Sequence, residues 1–119
     1  MKHRLAALAA VSLMVPASAF AQGASLGFLS KGPMARYTEA DMKLLEGALG
    51  QALKADQPGR TVEWRNDRTN ASGAITPERI FENGGRPCRE LRIVTRHRTQ
   101  ESSGLYTLCR RDGRWKLAQ

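Results

Sequence analysis

The polar and apolar positions of this chain follow two different repeats, and the change falls near residue 60. Between residues 42 and 53, apolar residues recur every three or four positions, which predicts one helix with a single buried stripe. Thr38 is a good N-cap for this helix, and turn residues from Asp56 to Gly59 end it. The stripe consists of Met42, Leu45, Ala48, Leu49, Ala52 and Leu53.

Apolar and polar residues alternate from Thr61 onward, between clusters of turn residues. This period of two predicts antiparallel strands with one buried face. Pro77 interrupts or bulges the second strand, because proline cannot donate a hydrogen bond to its neighbour. Asp112-Gly113 is a strong two-residue hairpin signal. The predicted strands are Thr61–Arg65, Ala74–Glu82, Arg86–Arg96, Gly104–Arg111 and Arg114–Leu117.

The two cysteines, Cys88 and Cys109, test the register of the last three strands. If they face each other in an antiparallel pair, the turn between their strands falls at Arg98-Thr99. The turn at Asp112-Gly113 sets the next pair independently. Both assignments place the large apolar residues on one face, and a slip of one residue in either would scatter them. That face carries Leu91, Ile93, Tyr106, Leu108, Trp115 and Leu117. We therefore predict a disulfide between the cysteines.

Two points of register stay open. A longer loop at Arg98-Thr99 with a shifted register is an alternative, because this turn has no glycine or asparagine. A three-residue loop at residues 83–85 places Ile75 and Phe81 on the core face, whereas a two-residue loop places Ile80 there.

The predicted fold is α+β, with the N-terminal helix packed on one face of an antiparallel meander of about five strands. The helix covers the apolar face of the sheet. The predicted core consists of Leu45, Leu49, Val62, Trp64, Leu91, Ile93, Tyr106, Leu108, Trp115 and Leu117.

The opposite face of the sheet is predicted to be basic. Guanidinium groups suit phosphates and carboxylates, so this face is a candidate anion-binding site. A solvated face that only keeps the protein soluble is the alternative interpretation. Arg89 and Arg110 lie beside the cysteines on the core-facing side, and we expect a structural role, with Glu63 or Glu90 as a partner. The anion-binding candidates are Arg92, Arg96, Arg111, Arg114 and Lys116.

The N-terminus has the pattern of a secretory signal over residues 1–21. A basic start precedes the apolar run Leu5–Val15, and Ala19-Phe20-Ala21 is typical of a cleavage site. The mature chain would begin at Gln22, with 17 basic and 11 acidic residues and a net charge of +6. No cysteine follows the cleavage site to accept a lipid. Residues 22–37 show no hydrophobic repeat, and we predict that they form a flexible linker before a domain over residues 38–119.

Catalytic and metal-binding patterns are weak. His97 is the one histidine of the mature chain, and we interpret it as a solvated turn residue. A zinc site needs three or four ligands. Four carboxylates on the strands are interpreted as partners of nearby arginines, namely Glu63, Glu78, Glu82 and Glu90. We predict no catalytic residue, no metal and no cofactor.

Several short motifs resemble the 17 kDa outer-membrane surface antigen domain family of bacteria. They are Trp64-Arg65-Asn66, Gly73-Ala74-Ile75-Thr76-Pro77, Cys88-Arg89-Glu90, and Cys109-Arg110 followed by Asp112-Gly113-Arg114-Trp115. The resemblance covers about residues 38–117. It implies a Gram-negative cell-envelope protein with no assigned enzymatic activity. Many members also carry a lipid-accepting cysteine and a glycine-zipper membrane segment, and this sequence has neither.

The sequence thus favours an exported, non-catalytic envelope protein that binds or has a structural role. Lipopolysaccharide and peptidoglycan are the anionic ligands expected in that compartment. The alternative is a periplasmic inhibitor or adaptor that docks on an acidic protein. Export argues against nucleic acid as a ligand, although the arginines suit it chemically. The expected locations are the periplasm and the cell surface, free or associated with the outer membrane. The predicted mature chain has no transmembrane segment.

A thiol assay tests the predicted disulfide. The non-reduced protein should show no reactive thiol, and two reactive thiols would contradict both the disulfide and the register derived from it. Reduction should lower the free energy of unfolding by about 3 kcal/mol, because the closed loop contains about 20 residues. Denaturant unfolding with and without a reductant measures this difference.

Overall fold

The computed structural model describes residues 26–118. The predicted signal sequence, its cleavage site and residues 22–25 lie outside the described residues. Two short 3-10 helices, Gly27–Leu29 and Gly32–Arg36, precede the helix α1, Glu39–Leu53. Five strands follow: β1 Val62–Asn66, β2 Ala71–Asn83, β3 Arg86–His97, β4 Gln100–Arg111 and β5 Arg114–Leu117.

The strands form one antiparallel meander in the order β1-β2-β3-β4-β5, which confirms the predicted fold class. Cys88 lies directly opposite Cys109 and forms the predicted disulfide with it. The second register is also confirmed, because Leu108 lies opposite Leu117. The turn at Arg98-Thr99 keeps its two-residue length because Arg98 adopts a left-handed conformation, with a φ of 54°. Its N–H donates to the Asn70 carbonyl at 2.9 Å, which holds the turn against the neighbouring hairpin.

The β2–β3 hairpin combines parts of both loop alternatives. Its turn is the two-residue pair Gly84-Gly85, since Asn83 pairs with Arg86. The register shifts between Pro77 and Arg79, which is a β-bulge at the predicted proline. Because the bulge adds one residue, the side-chain alternation reverses there. Ile75 and Ile80 therefore both lie on the core face.

The core lies between one face of the sheet and the helices. α1 packs on β1 and β2, while the second 3-10 helix packs on β3 and β4. Leu45, Leu91 and Leu108 are fully buried there. Val62, Tyr106 and Trp115 are partly buried and contact the same cluster. The prediction of Leu117 as a core residue is wrong, because it is 40% exposed on the edge strand β5, where no helix covers it.

The segment before α1 differs from the predicted flexible linker in its described part. Leu26, Leu29 and Pro33 are buried, and the Phe28 ring lies 4.8 Å from the Tyr106 ring. Residues 26–37 thus form part of the core cover over β3 and β4. Sequence periodicity did not detect them because 3-10 helices of three and five residues are too short to show a repeat.

Asp41 is fully buried and joins the start of α1 to the β1–β2 turn. One carboxylate oxygen accepts from the Thr38 backbone N–H at 2.9 Å, which completes a capping box. The other accepts from the Asn66 amide at 2.8 Å and the Thr69 hydroxyl at 2.7 Å. Burial alone would raise the pKa of Asp41, but these hydrogen bonds outweigh burial and lower the pKa below its ordinary value.

Tyr37 makes a second connection between the N-terminal segment and the sheet. Its hydroxyl lies 3.0 Å from the Ser72 and Arg96 carbonyl oxygens and accepts from the Arg96 N–H at 3.1 Å. Burial raises the pKa of Tyr37 to about 12. Its ring meets the Trp64 ring edge to face at 5.2 Å. Trp64 in turn lies over Gly73, where any Cβ would overlap the indole.

Replacement of Asp41 tests this connection. Asp41→Ala should lower the free energy of unfolding by about 2–4 kcal/mol, because a cap is lost and buried donors lose their acceptor. Glu39→Ala is the control: Glu39 lies in the same turn but is exposed, so its loss should cost under about 1 kcal/mol. Denaturant unfolding measures both changes.

The same carboxylate predicts a dependence on pH. The depressed pKa of Asp41 means that its stabilisation is present above the pKa of the unfolded state and is lost as the pH falls through the folded pKa. Asp41→Asn should therefore lose less stability than the unchanged protein between neutral pH and acid. An equal acid dependence in both proteins would contradict this account.

Candidate anion-binding site

The sheet face turned away from the helices is called the open face here. It comprises the side chains of β2 to β5 that alternate with the core residues. Cys88 is the one buried residue of this set, and the others are partly or fully exposed. Because the sheet alternates strictly between its faces, the register that builds the core also sets which cations lie together. The open face carries all five anion-binding candidates, Arg92, Arg96, Arg111, Arg114 and Lys116.

Two of these candidates already have partners within the protein. Arg92 donates to Glu78 at 2.6 Å, and Arg96 donates to Glu101 at 2.7 Å. The hydrogen bond from Arg92 to Glu78 raises the pKa of Arg92. These ion pairs compensate the positive charge of the open face at the middle of β3 and beside the Arg98-Thr99 turn. They confirm ion-pair partners as the interpretation of Glu78, while Glu101 was not anticipated.

The other three candidates are exposed and close together. Arg111 lies directly opposite Arg114, and Lys116 lies opposite Cys109. Within residues 26–118, none of the three takes part in an ion pair at 4.0 Å or less. Like charges directly opposite on neighbouring strands are destabilising. This arrangement therefore gathers positive charge without an internal counterion.

Two further arginines, which sequence analysis missed, join this end of the open face. Arg86 lies at the start of β3, on the same side as Cys88. Arg79 reaches the open face because of the bulge at Pro77, and its guanidinium stacks 4.1 Å from the Phe81 ring centroid. The signal for Arg79 was present in the sequence as Pro77. Without the bulge, alternation from Ile75 would have placed Arg79 on the core face.

Arg89 and Arg110 have the core-facing placement that was expected, but not the expected partners. Arg89 donates to the Cys88 carbonyl at 2.9 Å, and its guanidinium lies 5.5 Å from the Trp115 ring centroid. Arg110 is exposed, opposite Trp115. Over residues 26–118, neither Glu63 nor Glu90 forms an ion pair with them.

The charge of the domain is concentrated at one end of the sheet. We call residues 79–91 and 106–118 the basic tip; they include the disulfide and the turns at Gly84-Gly85 and Asp112-Gly113. The basic tip has seven cationic and three acidic side chains, a net charge of +4. The rest of the strand region, residues 62–78 and 92–105, has five cationic and four acidic side chains, a net charge of +1. The tip therefore holds most of the positive charge of the sheet.

Other parts of the domain offer less specific chemistry. An open groove of about 630 Å³ lies between the end of α1 and β1, and Lys54, Asp56, Arg60 and Glu63 line it together with neutral residues. Its mixed charges select no ligand class. His97 is partly buried at the end of β3. Residues 26–118 contain no group of three or more histidine, cysteine or carboxylate side chains placed to hold a metal ion. The same residues include no helix of the length and apolar character needed to cross a membrane.

Comparison with known proteins identifies relatives of this domain. The chain is 36% identical over 83 residues to a 17 kDa surface antigen of Rickettsia bellii. Over this matched segment the chain is similar to the 17 kDa surface antigens. The corresponding antigens of Rickettsia prowazekii and Rickettsia felis are 33% and 35% identical over 83 residues. Each match covers 66% of this chain and 51% of the relative.

The chain thus spans about half the length of the curated surface antigens that it matches. No family model matches the chain. No solved structure matches it either. The similarity to surface antigens therefore rests on these relatives, and it agrees with the resemblance found from the short motifs.

The repulsion between Arg111 and Arg114 can be measured. Arg114→Gln should raise the free energy of unfolding by about 0.5 kcal/mol at low salt, because it removes a like-charge pair. The gain should disappear at high salt, where surface charges are screened. Arg92→Gln is the matched control on the open face and should lower stability, since Glu78 loses its partner. Equal signs for both substitutions would contradict the proposed difference between the two parts of the face.

Proposed function

We propose that this chain is an exported, non-catalytic protein of the cell envelope that binds an anionic envelope ligand through the basic end of the open face. Similarity to the 17 kDa surface antigens supports a surface or envelope location. The signal-sequence pattern of residues 1–21 supports export. The disulfide supports an oxidising compartment such as the periplasm or the cell surface.

The observation that carries the binding role is the uncompensated positive charge of the basic tip. Arg111 and Arg114 face each other without an acidic partner, although Arg92 and Arg96 nearby each have one. Carboxylates thus pair with arginines elsewhere on this sheet, whereas the basic tip has only three acidic side chains for seven cationic ones. An external anion would remove the repulsion between these cations on binding. Lipopolysaccharide phosphates and peptidoglycan carboxylates are the envelope groups with suitable charge.

Binding to purified envelope polymers tests this function. Protein lacking residues 1–21, the predicted signal, should bind lipopolysaccharide or isolated peptidoglycan at low salt and release it as salt rises. Charge reversal at Arg111 should weaken binding about tenfold or more. Charge reversal at Arg92 should have a smaller effect, because Glu78 already compensates that cation.

The controls separate charge from folding. Thermal unfolding should show that both variants remain folded, since the substituted side chains are exposed. Failure of the unchanged protein to bind either polymer would overturn the proposed ligand class. Equal losses for the Arg92 and Arg111 variants would show that the basic end has no special part in binding.

A further inference from the structure

The cations of the basic tip are spread over a surface and not gathered in a pocket. Arg79, Arg86 and Arg111 lie on the open face, on three neighbouring strands. Arg110 is exposed on the other side of the same sheet. Four strands at the usual spacing of about 4.8 Å place β2 and β5 about 14 Å apart. The groove of about 630 Å³ described above lies elsewhere, beside β1. Such a distribution suits an extended anionic surface better than a compact ligand.

Apolar side chains are exposed at the same tip. Leu117 is 40% exposed on β5, on the other side of the sheet from Arg111 and Arg114. Trp115 is partly exposed on the same strand, with the Arg89 guanidinium over its ring. Phe81 is partly exposed under Arg79. Aromatic residues and leucine among lysine and arginine are typical of protein surfaces that meet the headgroup region of a membrane.

The acidic groups near the tip do not neutralise it. Glu82 lies opposite Pro87, Glu90 lies opposite Arg79, and Asp112 lies in the turn between Arg111 and Arg114. None of these three carboxylates comes within 4.0 Å of a cationic group in the part of the chain that the structure describes. The counter-charge has to come from outside the domain, and it has to extend over several strands.

We propose that the basic tip docks the domain peripherally on a lipid surface that carries anionic phosphate headgroups. This inference rests on the proposed function and names its ligand as a phospholipid surface. The guanidinium groups of the open face contact headgroup phosphates, while Phe81 on the same face reaches the apolar boundary beneath them. A lysine or arginine near an anionic membrane contributes about 1 kcal/mol, which is about a fivefold change in affinity. Several cations together give measurable binding without a transmembrane segment.

Co-sedimentation with vesicles tests the docking. The probe is a vesicle of phosphatidylglycerol and phosphatidylcholine, compared with phosphatidylcholine alone, at low salt and with the protein lacking residues 1–21. The unchanged protein should bind only the anionic vesicle. The triple variant R86Q/R111Q/R114Q should lose about 100-fold in affinity, from three cations at about fivefold each. Circular dichroism and thermal unfolding check that it is folded.

The matched control removes the same charge from the opposite end of the sheet. Arg65, Arg68 and Arg98 are exposed there, and R65Q/R68Q/R98Q should bind within about threefold of the unchanged protein. A loss equal to that of the tip variant would overturn the proposal, because net charge alone would then explain binding. Phe81→Ser should weaken binding to the anionic vesicle several-fold at low salt, because Phe81 lies on the open face and adds an apolar contact to the electrostatic attraction. An unchanged affinity would contradict the insertion of Phe81.

Two further arms distinguish a lipid surface from a compact phosphate site. R86K/R111K/R114K should retain binding within about threefold, because a diffuse surface charge does not require the bidentate geometry of arginine. Millimolar inorganic pyrophosphate should not displace the vesicles beyond its effect on ionic strength. Loss of binding in the lysine variant, or specific displacement by pyrophosphate, would overturn docking on a surface.

The outcome also separates this inference from the proposed function. Binding to lipopolysaccharide or peptidoglycan without binding to phosphatidylglycerol vesicles would overturn the lipid proposal alone. Binding to none of the three would overturn both.

Discussion

The direct pairing of Cys88 with Cys109 is the constraint on which the two-faced character of this domain depends. The covalent bond fixes the register of β3 against β4, and a slip of one residue would exchange the two faces of either strand. With this register, Leu91 and Leu108 are buried under the helices. The same register places Arg111 on the open face. Core packing and surface charge are therefore two results of one pairing.

The N-terminal residues complete the domain through polar contacts as well as burial. Asp41 connects α1 to the β1–β2 turn through Asn66 and Thr69. Tyr37 reaches the backbone of β2 and β3 with its hydroxyl. These contacts attach the helical layer to β1, β2 and β3, while the disulfide holds the other half of the sheet. Asn66 and Gly73, which belong to the motifs that resemble the surface antigen family, thus have structural roles in this chain.

The stability of the fold does not explain why the basic tip has so many cationic side chains. Opposed arginines in a hairpin cost folding free energy, and the domain could reduce that cost with carboxylates, as it does at Arg92 and Arg96. The contrast between paired and unpaired cations on one face gives the anion-binding proposal its support. Arg111, Arg114 and Lys116 are exposed at the tip and are therefore accessible to a ligand.

The sequence by itself determined the helix, the five strands, the cysteine pairing and the face on which Leu91, Ile93 and Leu108 lie. These features follow from local periodicity and from turns such as Asp112-Gly113, which are short-range properties of the chain. Tertiary structure decided the packing of residues 26–37, the burial of Asp41, the exposure of Leu117 and the addition of Arg79 and Arg86 to the basic tip. Each of these depends on contacts between distant segments, or on one bulge whose effect on side-chain direction appears only when the strands are paired. The sequence identified Arg92 and Arg96 as cations, but only the folded sheet brought Glu78 and Glu101 close enough to neutralise them.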